Sequence, residues 1–261
     1  MDPDQSKFAI HAAAREGKVT VVESLLNADA KLARRKDDDG RLPIHWAASS
    51  NQPEIVQLLA QQKQFDPDVE VSWRADLMTL FQMESCMLRM LIASQDDSGW
   101  TPLMIAASVK DGEKLVGMLL GWGADVNQTN NNGQTALHFV ASKNNLEIAR
   151  LFFDNKPPAS ARVRDKRGQY ALHRAAAVGS VPMINLLIKN KSPLNATDSA
   201  GYTALHHAIA EGHGAAAVVL IKAGAETDKK DLDGFLALDL APDKEVRKYI
   251  QREAENEGID L

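Results

Sequence analysis

The sequence predicts an all-α solenoid in which short helix-turn-helix repeats are stacked on one another. A motif of the form G-x-T/L-P/A-L/I-H-x-A-A occurs seven times along the 261 residues. Several copies are followed by a second apolar stretch with helical periodicity. One such unit cannot bury its apolar face alone, so neighbouring units must share a core, for which a hydrophobic content of 44% is sufficient.

The motif places one residue, usually histidine, at the same position in every copy. These positions are 11, 45, 104, 138, 173, 206 and 239. Five of the six intervals between them are 33 to 35 residues long, which is the period of ankyrin repeats. We therefore predict a single domain over 1–261 with seven ankyrin repeats and β-turn fingers. Their approximate bounds are 5–38, 39–70, 96–130, 131–165, 166–198, 199–231 and 232–257.

The start of the first helix in each repeat has recognisable capping residues. Thr101, Thr135 and Thr203 stand where an N-cap hydroxyl would accept a hydrogen bond from an unpaired helix amide. Pro43 and Pro102 follow at the first helical position, where the missing N–H has no cost. Paired alanines later in the motif allow neighbouring helices to approach closely.

The second helix of a repeat is indicated by apolar spacing, as in residues 54–59, 114–120 and 183–188. Gly123 and Gly224 suit the left-handed residue that ends such a helix. The chain then leads into the β-turn finger of the next repeat.

The first and last repeats depart from the motif as capping repeats do. Repeat one lacks the Gly-x-Thr-Pro entry, and repeat seven has Asp239 in place of histidine. The predicted last helix, over 244–257, is strongly polar and suited to face water.

Between repeats two and three the interval is 59 residues, about 25 more than the period. Removing residues 71–95 restores the spacing, and this segment contains four of the eight methionines and the only cysteine, Cys86. One interpretation is a genuine insertion that forms an extra helix on the edge of the solenoid. Our preferred hypothesis is a translated, unspliced intron, because Val71-Ser72 and Gln95 can be encoded by splice-site sequences and 25 codons keep the frame. Sequencing the mature messenger RNA decides between them.

Composition and motifs argue against several classes of function. The net charge is -5 with acidic and basic residues mixed along the chain, which disfavours nucleic-acid binding. No signal-peptide pattern or long apolar stretch is present, so we expect a protein of the cytoplasm and nucleus that does not contact membranes. Phosphate-binding and nucleophile motifs are absent from the sequence. We expect no enzyme activity and no cofactor.

Five of the seven histidines occupy the same position in successive repeats. Neighbouring helices are roughly 8–10 Å apart, too far for these side chains to share one zinc ion. A buried imidazole that bridges loop and helix backbones explains them better than a metal site does.

The remaining candidate function is protein binding by the finger tips and first helices, which would line one concave face. Trp46, Trp100, Phe139 and Arg174 occupy variable motif positions near this face. Tryptophan, tyrosine and arginine are enriched among the residues that dominate interface energy. For each of the four, packing between repeats is the alternative interpretation.

Five segments make the sequence more specific than a general ankyrin array. They are GRLPIHW (40–46), DDSGWTP (96–102), ASKN (141–144), LHRAAA (172–177) and AIAEGHG (208–214). In this order and in these repeats they resemble the gankyrin family, and the resemblance covers the whole chain except 71–95.

Gankyrin-type proteins are assembly chaperones of the 19S regulatory particle of the proteasome. The resemblance implies that the concave face grips the C-terminal domain of one ATPase of the base, the third regulatory-particle triple-A subunit. Arg41 and Lys143 would pair with acidic residues of that domain, and Trp46 and Trp100 would supply apolar contacts. Asp97 is a further candidate contact, and the protein is expected to act as a monomer.

Animal members of the family carry an L-x-C-x-E motif for retinoblastoma-type pocket proteins. The matching stretch here is HAIAE, from His207 to Glu211, which retains only the glutamate. Both end residues remain candidate protein contacts, but the stretch favours a fungal-like member. A different ankyrin adaptor, such as a kinase or transcription-factor inhibitor, is the alternative function, and a regulatory fragment of an enzyme is a weaker one.

Overall fold

The computed structural model describes residues 8–61 and 91–259. Thirteen α-helices and two short 3₁₀ helices lie in these ranges, which confirms the predicted all-α ankyrin-repeat fold. None of these helices combines the length and the apolar character that a bilayer crossing requires. The chain divides into two compact units, Met1–Asn131 and Asn132–Leu261.

The first unit contains helical hairpins in which an inner helix is followed by an outer one. Inner helix α1 packs against α3, and α3 packs against α5, while the outer helices α2 and α4 contact each other. The helices are α1 (Ala9–Arg15), α2 (Val19–Ala28), α3 (Pro43–Ser49), α4 (Pro53–Ala60), α5 (Pro102–Ser108) and α6 (Glu113–Gly121), with a 3₁₀ helix at Ala30–Arg34.

The second unit repeats the same arrangement. Inner helices pack in the order α7, α9, α11, and outer helices in the order α8, α10, α12, α13. The helices are α7 (Ala136–Lys143), α8 (Leu146–Asp154), α9 (Ala171–Ala177), α10 (Val181–Lys189), α11 (Ala204–Ala210), α12 (Gly214–Lys222) and α13 (Lys244–Asn256), with a 3₁₀ helix at Ala237–Leu240.

The predicted helix starts are confirmed. Pro43 and Pro102 are the first residues of α3 and α5. The hydroxyls of Thr101 and Thr203 accept hydrogen bonds from backbone amides three residues later, at 3.2 and 3.4 Å. Thr135 is the N-cap of α7, and its hydroxyl lies 3.0 Å from a ring nitrogen of the helix histidine. The glycines predicted to end outer helices have positive φ angles of 88° at Gly123 and 92° at Gly224.

The seventh repeat differs from the others in its inner helix, which is only the 3₁₀ helix Ala237–Leu240. Asp239 stands in the histidine position, and its Oδ2 accepts the hydrogen bond from the Leu236 amide at 3.2 Å. Pro242 lies two residues after the end of this helix and has no N–H to continue it. A carboxylate can therefore replace the imidazole in capping the turn, but the helix stops early.

Part of the segment 71–95 lies within the first unit. Leu91 and Ile92 are buried, and the Ser94 carbonyl is 3.3 Å from His45 Nε2. Arg35 and Ala196 provide the corresponding carbonyls in other repeats. Residues 71–90 lie outside the described residues, so the insertion and the intron both remain hypotheses.

Candidate protein-binding surfaces

An aspartate begins the turn of five fingers, and its carboxylate organises the turn. One oxygen, Oδ1, accepts hydrogen bonds from the backbone amides two and four residues later, at 2.8 to 3.0 Å. A glycine with positive φ follows three residues after each aspartate. We call these residues the finger aspartates: Asp37, Asp96, Asp165, Asp198 and Asp231.

Backbone hydrogen bonds join neighbouring fingers within each unit. The Asp97 amide donates to the Asp39 carbonyl at 3.1 Å, and the Leu232 amide donates to the Ala200 carbonyl at 3.1 Å. A Cβ at Gly201 would lie 2.7 Å from the Leu232 nitrogen, so a side chain there would push the fingers apart. The finger tips are therefore held in fixed register with their neighbours.

The second oxygen of three finger aspartates bonds the side chain nine residues later, on the inner helix. This places three of the candidate residues in equivalent positions of their repeats. The pairs are Trp46 Nε1 with Asp37 Oδ2 (2.6 Å), Arg174 Nη2 with Asp165 Oδ2 (2.9 Å) and His207 Nε2 with Asp198 Oδ2 (2.9 Å).

Electrostatics support these pairs. Burial alone would raise the pKa of Asp37, Asp165 and Asp198. Hydrogen bonds from the finger amides and from the paired side chains outweigh burial and lower the pKa of each carboxyl below its usual value. Each finger aspartate of these three is thus an anion at neutral pH.

In the first unit, two guanidinium groups lie close to the indole ring of Trp46. The Cζ atoms of Arg15 and Arg41 are each 5.3 Å from its ring centroid, a distance at which cation–π attraction operates. Arg41 Nε also bonds Asp96 Oδ2 at 3.1 Å, with 32% of the arginine side chain exposed. We call Arg15, Arg41 and Trp46 the arginine–tryptophan patch.

Asp97 and Trp100 lie in the next finger of the same unit. Asp97 is exposed, while its carbonyl accepts a hydrogen bond from Asn131 Nδ2 at 2.8 Å. Trp100 is half-buried, and its backbone amide donates to Asp96 Oδ1 at 2.8 Å. Because Asp96 binds both this amide and Arg41, the third finger helps to position the arginine–tryptophan patch.

In the second unit, the other candidates lie on or beside the inner helices. Phe139 is half-buried within α7, and Lys143 is exposed as its last residue. Glu211 is exposed directly after α11. Within the described residues, neither Lys143 nor Glu211 forms an ion pair.

The five motif histidines are buried and serve the framework, as expected. In four of them, ring nitrogen Nδ1 accepts a hydrogen bond from the backbone amide three residues earlier, at 3.1 to 3.2 Å. Nε2 bonds a carbonyl of the next finger in four, at 2.8 to 3.3 Å. Burial lowers the pKa of His173 to about 4, with a further contribution from the charge of His207. In the described ranges no three metal-binding side chains come together.

Sequence reasoning missed the finger aspartates and Arg15. The sequence did contain a signal for the finger aspartates: each begins a D-x-x-G turn and stands nine residues before the variable position of the inner helix. Arg15 gave no such signal, since its contact with Trp46 joins two repeats.

Stacked helical hairpins whose fingers are joined by backbone hydrogen bonds define a helical-repeat protein. A family model described as "Ankyrin repeats (3 copies)" matches residues 1–71, 108–191 and 153–231. The ankyrin repeat-containing protein C6C3.08 of Schizosaccharomyces pombe is 35% identical over 245 residues, 92% of each chain. The chain belongs to the ankyrin-repeat family.

Other similarities are less extensive. The probable 26S proteasome regulatory subunit p28 of Saccharomyces cerevisiae is 38% identical over 162 residues, 62% of this chain and 60% of that protein. Neurogenic locus notch homolog protein 2 of Homo sapiens is 29% identical over 149 residues, 57% of this chain and 5% of that protein. The solved ankyrin repeat domain of Bcl-3 matches 93% of this chain with a TM-score of 0.66 and 22% identity, which shows the fold.

Proposed function

We propose that this chain is a gankyrin-type, non-catalytic assembly chaperone for the 19S regulatory particle of the 26S proteasome. Its client is the C-terminal domain of a base ATPase, the third regulatory-particle triple-A subunit. The bound chaperone blocks early docking of that subunit onto the 20S core and is released when assembly is complete. It acts as a monomer without a cofactor, in the cytoplasm and nucleus.

The observation that carries this proposal is the arginine–tryptophan patch. Arg41 is fixed from two sides, by Asp96 at Nε and by the face of Trp46. A guanidinium has five N–H donors, so bonding through Nε leaves the planar fork available to a client carboxylate. A side chain that is already ordered loses little conformational entropy on binding, which favours recognition of an acidic surface.

The second unit adds basic groups of the same kind. Arg174 is bonded to Asp165 with 25% of its side chain exposed, and Lys143 is exposed at the end of α7. Opposite charges on a client domain would fix its register on these helices and speed its association.

The relatives support the client class. The yeast protein that matches 62% of this chain is described as a probable 26S proteasome regulatory subunit. That match covers 60% of the yeast protein.

Affinity purification of the tagged full chain at low salt, followed by mass spectrometry, tests the proposal. We expect the third base ATPase among the enriched proteins, with recovery that falls as salt is raised, because charge pairs contribute to binding. The variant Lys114→Glu/Arg150→Glu is the matched control, since both exposed residues lie on outer helices. It should recover the same ATPase as the unmodified chain.

The opposite results are equally defined. Enrichment of a kinase or of a transcription factor without base ATPases would favour the adaptor function instead. If the outer-helix control lost the ATPase, the binding surface would include the outer helices, which would contradict binding by the inner helices and fingers.

A further inference from the structure

The finger aspartates differ in what their second oxygen bonds. In four of them Oδ2 has a side-chain donor within its own unit: Trp46 for Asp37, Arg41 for Asp96, Arg174 for Asp165 and His207 for Asp198. In Asp231, Oδ2 is buried and has no hydrogen-bond partner. The residue as a whole is 6% exposed, so water does not replace the donor freely.

No hydrogen bond joins Asp231 Oδ2 to a described donor of its own unit, His206 included, whose Nε2 is also buried without a partner. The position nine residues after Asp231 is Leu240, which has no hydrogen to donate. Arg247 bonds Asp239 at 3.0 Å, and Lys229 bonds the Asn195 carbonyl at 2.7 Å. Lys230 is exposed and forms no described bond with Asp231. A buried carboxylate oxygen without a donor is costly, and a bound partner could supply one.

The same finger also presents apolar side chains to solvent. Leu232 is 77% exposed and Phe235 is 52% exposed, the two highest values among the large exposed hydrophobic residues that the structure describes. The position of Leu232 is polar in the five preceding fingers: Asp38, Asp97, Asn131, Lys166 and Ser199. Phe235 is tied to the aspartate, because its amide donates to Asp231 Oδ1 at 2.9 Å. Exposed apolar groups around a polar anchor are typical of a protein-binding point.

We propose that the seventh finger, residues 231–235, is a docking point for an arginine of a partner protein. The guanidinium bonds Asp231 Oδ2, and an apolar residue next to that arginine packs on Leu232 and Phe235. Arginine is the cation indicated because the same carboxylate construction already binds Arg41 at Asp96 and Arg174 at Asp165. Leu232 and Phe235 are both more than half exposed, so an apolar residue of the partner can reach them. The inference goes beyond the proposed function, since it applies to any client with such an arginine.

The chain itself offers variants that keep the fold of the finger. Asn130 occupies the aspartate position of the fourth finger and is 5% exposed, so Asp231→Asn should fold. This change keeps Oδ1 for the turn amides and removes the negative oxygen. Asp233→Asn is the matched control, because it removes an exposed charge from the same finger. Leu232→Ser/Phe235→Gln copies the residues of other fingers, Ser199 and Gln169.

The experiment is selection from a random peptide library displayed on phage, with the full chain and each variant as bait. We expect the unmodified chain and Asp233→Asn to enrich peptides that carry arginine beside an apolar residue. Asp231→Asn should lower this enrichment about tenfold or more, as expected for loss of a hydrogen bond to a charged group. Leu232→Ser/Phe235→Gln should lower it less and should relax the demand for an apolar neighbour. Thermal melting confirms that every bait is folded.

Three results would overturn the proposal. Peptides selected by the unmodified chain could lack arginine, which would exclude this recognition. Asp233→Asn could lose as much enrichment as Asp231→Asn, which would show that peptides respond to the negative charge of the finger as a whole and not to a bond at Asp231. Sedimentation could show a dimer that Asp231→Asn dissociates, which would assign the arginine to a second copy of this chain.

Discussion

The second and fifth repeats hold different side chains with the same construction. In the second, Asp37 bonds the indole of Trp46, and in the fifth, Asp165 bonds the guanidinium of Arg174. Both carboxylates use Oδ1 for the finger turn and Oδ2 for the residue nine positions later. The fold therefore fixes where a side chain is displayed, while the sequence selects an aromatic ring in one repeat and a charge in the other.

The two sites differ in burial, which decides how much each contributes to stability. Asp165 has a side chain that is 1% exposed, whereas Asp37 is half-buried and closer to water. Loss of the partner should consequently cost more in the fifth repeat than in the second.

Replacement of Asp165 by alanine should have the largest effect. It removes the acceptor of both turn hydrogen bonds and leaves Arg174 without its anion, so the free energy of unfolding should fall by about 3–5 kcal/mol. Urea denaturation measures this loss. Asp165→Asn is the control, because it retains the turn acceptor and should cost clearly less. Equal losses for the two variants would show that the turn hydrogen bonds contribute nothing and that the ion pair with Arg174 accounts for the whole effect.

Acid should destabilise both repeats, because each contains a buried motif histidine, His45 in the second and His173 in the fifth. The pKa of His173 is about 4 in the folded chain against 6.5 in the unfolded chain. The unfolded state therefore binds a proton first, and stability falls as the pH drops from 6.5 towards 4, by on the order of 2 kcal/mol at pH 5. The other buried motif histidines have lowered pKa values and act in the same direction.

Urea denaturation at pH 7 and pH 5 measures the loss, and NMR titration of the His173 ring checks its source. Asp37, Asp165 and Asp198 lie outside this window, since the lowered pKa of each carboxyl places the loss of its contribution below pH 3.8. Unchanged stability at pH 5 would contradict a neutral, buried His173.

Replacement of Trp46 by phenylalanine should have a smaller effect. An aromatic ring stays beside Arg15 and Arg41, but the hydrogen bond to Asp37 is lost. Because Asp37 is half-buried, water can bond the released oxygen, and the loss should be about 1 kcal/mol. A loss as large as that of Asp165→Ala would mean that burial does not distinguish the two repeats.

Replacement of Leu232 by serine should change stability least. The side chain is 77% exposed, and serine stands at the same position of the preceding finger, so we expect a change within about 0.5 kcal/mol. A thermal melt that shows marked destabilisation would mean that Leu232 is packed in solution.

The repeat register, the helix caps and the histidine framework were predictable because they recur at a fixed period. Thr101, Pro102 and His138 do in the structure what their motif positions indicate. The 3₁₀ helix of the seventh repeat was not predicted, because its early stop depends on Asp239 and Pro242 together.

The candidate surface was predictable only in part. Trp46 was expected to be an anchor near the binding face, but the sequence did not show that Asp37 and two arginines hold it. Such pairs join residues with no shared motif, so periodicity gives their location and not their partners. The roles of Lys143 and Glu211 stay predictions.

Isothermal titration calorimetry of the full chain with the C-terminal domain of the third base ATPase tests the central claim most directly. The proposed function predicts one-to-one binding that Arg41→Glu/Lys143→Glu weakens by about 2–5 kcal/mol while the variant stays folded. Lys114→Glu/Arg150→Glu, with the same charge change on outer helices, should bind like the unmodified chain. Absence of binding by the unmodified chain, or unchanged affinity in Arg41→Glu/Lys143→Glu, would contradict the proposed function.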